Sequence, residues 1–315
     1  MKYINTFKEN EMISGVYLCK SKNSAVTKAG KDYDNVVWMD KTGSINGKIW
    51  EPSSPGIEDY EPGDYVMISG KTSLYNGSMQ IVVDRTRVAE EGEYIVSDYV
   101  PSSSRDIDEM WDELMGFLKP IKNPYLQALR DEFFVKDKDF IKKFRESSAA
   151  KSLHHAFRGG LLEHSLSVTR LCDAYAKFYP MLNRDLLVLA ASLHDMGKTR
   201  ELSLFPTNDY TDEGQLLGHI VIGIEMATEK IALIPDFPEE LAVEFKHLIA
   251  AHHGKLEFGS PKKPSLMEAY ALSMADDMDA KLEGLKEECN KNPGKEWLGM
   301  VRMLDSNFKR TESWE

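Results

Sequence analysis

Leu193-His194-Asp195-Met196-Gly197-Lys198 sets an imidazole and a carboxylate side by side at the end of an apolar stretch, followed by a glycine and a lysine. Adjacent His and Asp side chains can bind one metal ion jointly or bridge two. The pair gains weight from its surroundings, because all eight histidines of the 315-residue chain lie between His154 and His253. His164 shares the apolar stripe of Leu161 and Val168 in a helix that follows Gly159-Gly160. His194 continues the row of Leu187, Ala190 and Ala191 in a helix capped by Asn183, and Gly197 is expected to end that helix as a C-cap glycine. His219 falls with Ile222, Gly223 and Met226 on one face of a helix over 214–231. In the helix entered at Glu239, His252 extends the row Leu241, Phe245, Leu248 and Ile249, whereas His253 is turned about a hundred degrees away. Ser265-Leu266-Met267-Glu268 reads as a capping box that opens a helix with Ala269, Leu272 and Asp276 facing inward, although Asp277 and Asp279 compete for that last place. Inward polar groups on so many helices would each cost about 1–3 kcal/mol if left unsatisfied. A shared metal satisfies them together. With imidazole and carboxylate donors and no thiolate, manganese, cobalt, iron or zinc suits the set better than magnesium.

The elements that must carry these residues begin near Ile107, where helical periodicity sets in and persists. Helices are expected over about 106–118 and 124–146, with Pro120 and Pro124 between them and a break near Lys136 to Lys138. Before them, residues 12–96 are strand-like: Gly15 to Lys20, Asn35 to Asp40, Ser44 to Trp50, Asp64 to Leu74 and Ser78 to Val88, with Asn76-Gly77 as a hairpin turn. Five strands with a Pro-rich, helix-compatible insert from Glu51 to Pro62 read as a small Greek-key barrel, an OB-fold, with an SH3-like barrel as the structural alternative. The fold class is therefore a five-stranded OB-fold β-barrel followed by an all-α domain. Residues 97–105 read as a linker, 106–287 as the helical domain, and 288–315 as a tail with a short helix around 295–308 that could dock on a neighbouring surface or protomer. A homo-oligomer stays open.

OB-folds hold single strands by stacking bases on aromatic side chains near scattered cations. Tyr33, Trp38, Trp50 and Tyr75 are candidate platforms, with Lys20, Lys22, Lys28, Lys31, Lys48, Lys71, Arg85 and Arg87 close in sequence; for any one of them the plainer reading is favoured, Trp38, between Val37 and Met39, as core and the lysines as a solvated edge. A net charge of −12 excludes bulk electrostatic coating of nucleic acid, so contacts to a strand must be local or metal-assisted. No apolar run has membrane-spanning length and no signal pattern opens the chain, so a cytoplasmic protein without membrane partners is expected. Cys19, Cys172 and Cys289 are widely separated, which suits a reducing compartment and packing roles.

His164, His194-Asp195 and Asp276, each on a helix, resemble the HD superfamily of metal-dependent phosphohydrolases, and Gly197-Lys198 extends the match to the HDxGK form. The run His154-His155-Ala156-Phe157-Arg158-Gly159-Gly160-Leu161-Leu162-Glu163-His164-Ser165, together with the barrel before it, is more narrowly similar to the YhaM family of 3′-to-5′ exoribonucleases, which join an OB-fold to an HD domain. The resemblance spans 12–285. It implies that His164, His194, Asp195 and Asp276 hold one metal and that Asp195 bridges to a second held by His219 and His252, with His253 as an alternate. It also implies that Lys198 stands near the scissile phosphate, although a lysine answering the helix dipole would look the same. Arg158, His154 and His155 become candidates for substrate phosphate contacts. The implied function is a hydrolase that trims single-stranded RNA, with single-stranded DNA left open, to nucleoside 5′-monophosphates with two transition metals, manganese first. Three other readings compete: a small-nucleotide hydrolase, a non-catalytic nucleic-acid-binding protein with a structural metal, and an iron-dependent oxygenase.

Overall fold

The computed structural model describes residues 2–151 and 155–311. It divides into two compact units, Met1–Ser102 with Phe205–Thr207, and Ser103–Leu204 with Asn208–Glu315.

Alternating inward and outward side chains build the first unit. Its strands, β1 (Met12–Val26), β2 (Asp32–Asp40), β3 (Gly43–Trp50), β4 (Tyr65–Tyr75) and β5 (Ser78–Val88), close into a barrel in the order β1-β2-β3-β5-β4. Every ladder is antiparallel except β3 with β5, where Lys48 lies opposite Val82. This is the expected OB-fold. Asn76 and Gly77 both take positive φ and turn β4 into β5, with Tyr75 opposite Ser78. Trp38 is wholly buried with Tyr17, Ile49, Ile68 and Ile81, so it belongs to the core and drops out as a stacking platform. Gly47 permits that burial, since a Cβ there would stand 2.3 Å from the Trp38 indole nitrogen. The 51–62 insert is turns and bends rather than helix. Its prolines withhold backbone donors, and Ile57 instead bridges to Thr86. Tyr99 and Val100, in the segment read as a linker, are buried with Val16, Leu18 and Met39.

The second unit is helical: α1 (Ile107–Leu118), α2 (Pro124–Asp131), α3 (Lys138–Glu146), α4 (Gly160–Phe178), α5 (Arg184–Leu193), α6 (Lys198–Glu201), α7 (Asp212–Ile231), α8 (Glu239–Ala251) and α9 (Met267–Lys291). A π-turn over Glu132–Lys136 separates α2 from α3, whose N-cap Asp137 accepts from the Phe140 amide. α5 is buried on every side from Leu186 to Leu193, which makes it the central helix and explains its uniformly apolar sequence. Asn183 caps it as expected, its side chain accepting from the Leu186 amide.

Three expectations are corrected. Gly197 does not cap α5 in a left-handed conformation: its φ is −61°, and a Cβ would lie 2.0 Å from the His219 carbonyl, so glycine is required by the close approach of α7. The capping box does not form, because Glu268 accepts instead from the Asn183 amide at 2.6 Å and α9 starts after Leu266 without a side-chain cap. The tail is not a helix. After α9, β6 (Trp297–Val301) and β7 (Ser306–Lys309) form an antiparallel hairpin; Gly294 and Gly299 take positive φ, and Gly299 sits at the register shift. Among the described residues, no helix is long and apolar enough to cross a membrane.

Candidate metal centre

Side chains from α4, α6 and α9 and from just past the ends of α5 and α8 line one pocket of the second unit, a cavity of about 330 Å³ whose wall includes His155, His164, Asp195, Lys198, His253 and Asp276, and His219 of α7 approaches Asp195 beside it. Five of the rings at the centre are held from behind. His194 and His252 stand just past the ends of α5 and α8, where their Nδ1 atoms donate to the free carbonyls of Ala191 and Ile249 at 2.8 and 2.7 Å. His253 Nδ1 donates to the Phe258 carbonyl at 2.8 Å, and His164 Nδ1 faces the Asp279 carboxylate at 2.7 Å. Glu201 Oε1 accepts from the His219 backbone amide at 2.9 Å and lies 3.1 Å from its Nδ1. With these acceptors taking the Nδ1 protons, a neutral ring at any of these positions turns its Nε2 lone pair to the centre.

Those lone pairs face one another and the carboxylates. His164 Nε2 lies 3.2 Å from His194 Nε2 and 3.1 Å from Asp276 Oδ1, and His219 Nε2 lies 3.3 Å from His253 Nε2. Asp195 looks both ways: Oδ2 is 3.5 Å from His164 and from His194, while Oδ1 is 3.4 Å from His219 and 3.5 Å from His252. Donors bound at about 2.0–2.2 Å to one ion stand about 3.1–3.6 Å apart, so the spacing is that of atoms sharing a cation. Asp195 Oδ1 and His252 Nε2 are buried without a hydrogen-bond partner, which metal ligation would remedy. The residues present therefore fit a divalent metal.

The electrostatics agree. Burial opposes charge on Asp195, yet Lys198, 2.6 Å from Oδ2, and His194 hold its carboxyl well below the usual range. Burial likewise opposes protonation of His164 and His194, but the facing carboxylates win and raise both, His194 to about 10. The cavity draws positive charge. A proton shared between His164 and His194 would join that pair but leave the far side of Asp195 unpartnered. On that side burial lowers the pKa of His252 and His253, keeping them neutral.

Residues 161–281 match the HD domain family. The 3′-5′ exoribonuclease YhaM of Geobacillus sp. (strain WCH70) is 33% identical over 306 residues, 97% of this chain and 93% of the relative. The enzyme of the same name from Bacillus subtilis (strain 168) is 34% identical over 273 residues, 86% of each. The chain belongs to the YhaM family of 3′-5′ exoribonucleases.

In this YhaM-family chain not every expected site residue reaches the centre. His155 does: it is 4% exposed, takes a left-handed φ of 58°, and sets Nε2 3.4 Å from Asp279. Arg158 does not, since its guanidinium bonds Glu146 at 2.9 Å and lines a different cleft. His154 lies outside the described residues. Of the three aspartates left open by periodicity, Asp276 faces the Nε2 atoms, Asp279 stands behind His164, and Asp277 pairs with Lys281 at 2.6 Å. Glu201 was missed. It follows Lys198 by one turn of α6, and only the tertiary approach of α7 brings it behind His219. His247, the remaining histidine, accepts from the Ser265 amide at 2.9 Å away from the centre.

On the barrel, Tyr33 and Trp50 are cross-strand partners on β2 and β3, with ring centroids 5.3 Å apart and the Lys48 ammonium 4.4 Å from the Tyr33 centroid. Tyr75 is exposed but stands at the β4–β5 hairpin, level with Ser78, whereas Lys48, two residues before Trp50, lies opposite Val82 of β5. Several expected cations are already paired: Lys22 with Asp59, Lys31 with Glu51 and Arg87 with Glu93.

Proposed function

We propose that this chain is a metal-dependent exonuclease that shortens single-stranded RNA from its 3′ end and releases nucleoside 5′-monophosphates. The observation that carries the reading is the double face of Asp195, one oxygen toward His164 and His194 and the other toward His219 and His252. His164, His194, Asp195 and Asp276 would hold one divalent ion; His219, His252 and His253, with Asp195 between, would hold a second. Manganese is the first choice, and cobalt, iron or zinc suits the same donors. When bound, such ions make water a competent nucleophile near neutral pH and neutralise charge that develops on phosphoryl oxygens.

The chain's own residues supply the rest. Lys198 keeps Asp195 ionised and adds a fixed positive charge at the pocket wall for a phosphoryl oxygen. Asp279, Glu201 and the carbonyls of Ala191, Ile249 and Phe258 orient the rings, so little reorganisation is needed when ligands bind. His155, at the same wall, is available to a substrate phosphate. The exposed Trp50 with Tyr33 beside it offers a surface on which bases stack, at roughly 1–3 kcal/mol per base. A cytoplasmic setting suits the three unpaired, buried cysteines.

The test is incubation of 5′-labelled single-stranded RNA with purified protein and manganese, which should yield a ladder shortening from the 3′ end and stop on chelation. Mononucleotides cleaved as fast as oligonucleotides would overturn the nuclease reading in favour of a small-nucleotide hydrolase. Oxygen consumption with ferrous iron and no phosphate-ester cleavage would overturn it in favour of an oxygenase.

A further inference from the structure

α3 carries a second concentration of charge, away from the histidines. Lys138, Lys142 and Arg145 recur at one-turn spacings along one face of this helix. With Arg158 they line a cleft of about 290 Å³ in which Glu146 is the one acidic lining residue among those described. On a chain of net charge −12, four cations around one carboxylate are a local reversal of sign. The arginines are partly engaged: Arg145 pairs with Asp108 and lies over the Trp111 ring, and Arg158 donates to Glu146. A guanidinium carries five N–H donors, so both keep donors to spare. Lys138 and Lys142 are exposed and, among the described residues, have neither a hydrogen-bond nor an ion-pair partner. Acids are within reach of this helix, since Lys143 pairs with Asp139 at 3.0 Å. The two free ammonium groups therefore face a cleft that gathers cations and excludes most carboxylates.

The cleft is also laced to the histidine pocket. Glu146 and Arg158 line the cleft, while Ala149, Ala150 and His155 line the pocket. The two stretches that connect them are tied together by bonds from the Gly159 amide to the Glu146 carbonyl, the Leu161 amide to the Ser147 carbonyl and the Ala149 amide to the His155 carbonyl, at 3.5, 3.1 and 3.0 Å. The linings are three positions apart along each stretch, with two residues between, a span on the order of 10 Å at most. A strand with its end in the pocket reaches the cleft within a few nucleotides.

We infer that this cleft takes the phosphodiester backbone of the RNA whose 3′ end is cut in the histidine pocket, an inference that rests on the exoribonuclease reading above. The lining offers N–H donors and two isoleucines but no aromatic ring for a base, so it grips phosphate without reading sequence. Its volume falls just under the roughly 300–1,000 Å³ typical of pockets that enclose a whole small ligand, which suits a length of backbone passing through.

The experiment compares the full chain with its Lys138→Ala/Lys142→Ala and Lys138→Arg/Lys142→Arg variants. Both lysines are exposed, so neither change disturbs packing. Binding of a fluorescent single-stranded RNA is followed by anisotropy at several salt concentrations, and kcat/KM is measured on a decanucleotide and on a dinucleotide too short to fill both sites. The alanine variant should show a log–log salt dependence shallower by about 0.7 per lost contact, about 1.4 for the pair. Its ratio of kcat/KM on the long substrate to that on the short one should fall, while the arginine variant keeps both values near wild type. If the wild type shortens RNA but the alanine variant shows unchanged slope and ratio, the inference is overturned alone. If the wild type does not shorten RNA, the exoribonuclease reading falls and takes this inference with it.

Discussion

Asp279→Ala separates a residue that would hold metal from one that holds a ligand in place. Two carboxylates one turn apart on α9 serve opposite edges of the same ring: Asp276 Oδ1 lies 3.1 Å from His164 Nε2, and Asp279 Oδ2 lies 2.7 Å from His164 Nδ1. Removing Asp279 leaves the ring N–H of His164, a residue only 5% exposed, without its acceptor, a loss of about 1–3 kcal/mol. It also frees the imidazole to tilt or to exchange tautomers. Loss of such an outer partner lowers metal affinity about 10- to 100-fold, equivalent to about 1.4–2.8 kcal/mol. Asp276→Ala would remove a donor outright and should lower it further. The assay titrates manganese into each protein against a competing chelator and follows RNA hydrolysis over the same concentrations. In Asp279→Ala the midpoint should shift by about 10- to 100-fold, with activity returning at high metal. Asp279→Asn, whose amide oxygen still accepts from Nδ1, should fall between that variant and wild type, an ordering that general loss of packing would not produce. Asp276→Ala should stay inactive at every manganese concentration. An unshifted midpoint in folded Asp279→Ala would refute the argument, and recovery of Asp276→Ala but not Asp279→Ala would exchange the two roles.

Gly197→Ala places a methyl 2.0 Å from the His219 carbonyl and should lower stability by about 1–3 kcal/mol while weakening metal binding through the displaced His219; an unchanged Tm would show that α7 yields freely. His252 is wholly buried with its Nε2 unpartnered, so His252→Ala should lower metal content more than His253→Ala, and elemental analysis giving the opposite order would contradict that placement. Asp173 is 3% exposed and bonded to Arg184 at 2.6 Å and Lys177 at 2.6 Å; burial opposes its charge, but these partners win and lower its pKa. Because the folded pKa is the depressed one, the stabilisation is present above the unfolded carboxyl pKa of about 3.9 and is lost as pH falls through the folded value. Asp173→Asn should therefore cost about 1.5 kcal/mol near neutral pH, the low end for charged hydrogen bonds because Lys177 is largely exposed, and denaturation curves of the two proteins should converge in acid.

Which of these roles could be seen before the fold depends on how far each one reaches along the chain. His164, His194, His219 and His252 announce themselves because each lies on the apolar stripe of its own helix, a pattern written within a few residues. The aspartates of α9 do not. Asp276 and Asp279 are one turn apart and both face inward, so periodicity cannot say which meets Nε2 and which meets Nδ1; only the placement of α4 against α9 does. Ser265 and Glu268 have the spacing of a capping box, but Glu268 is drawn to the Asn183 amide, a partner distant in sequence that outcompetes the local one. Trp38 and Trp50 each follow a β-branched apolar residue, Val37 and Ile49, yet opposite sides of the pleat send one into the core and leave the other half exposed. Gly197 is the sharpest case. A glycine after an apolar helix invites the C-cap reading, but α5 ends at Leu193 and Gly197 stands four residues on, just before α6. What demands glycine is the His219 carbonyl of α7, 2.0 Å from where a Cβ would be, and that same approach brings His219 Nε2 within 3.4 Å of Asp195. The residue after Met196 is thus set by the distance between the two halves of the metal centre, a constraint that exists only once α7 has been packed.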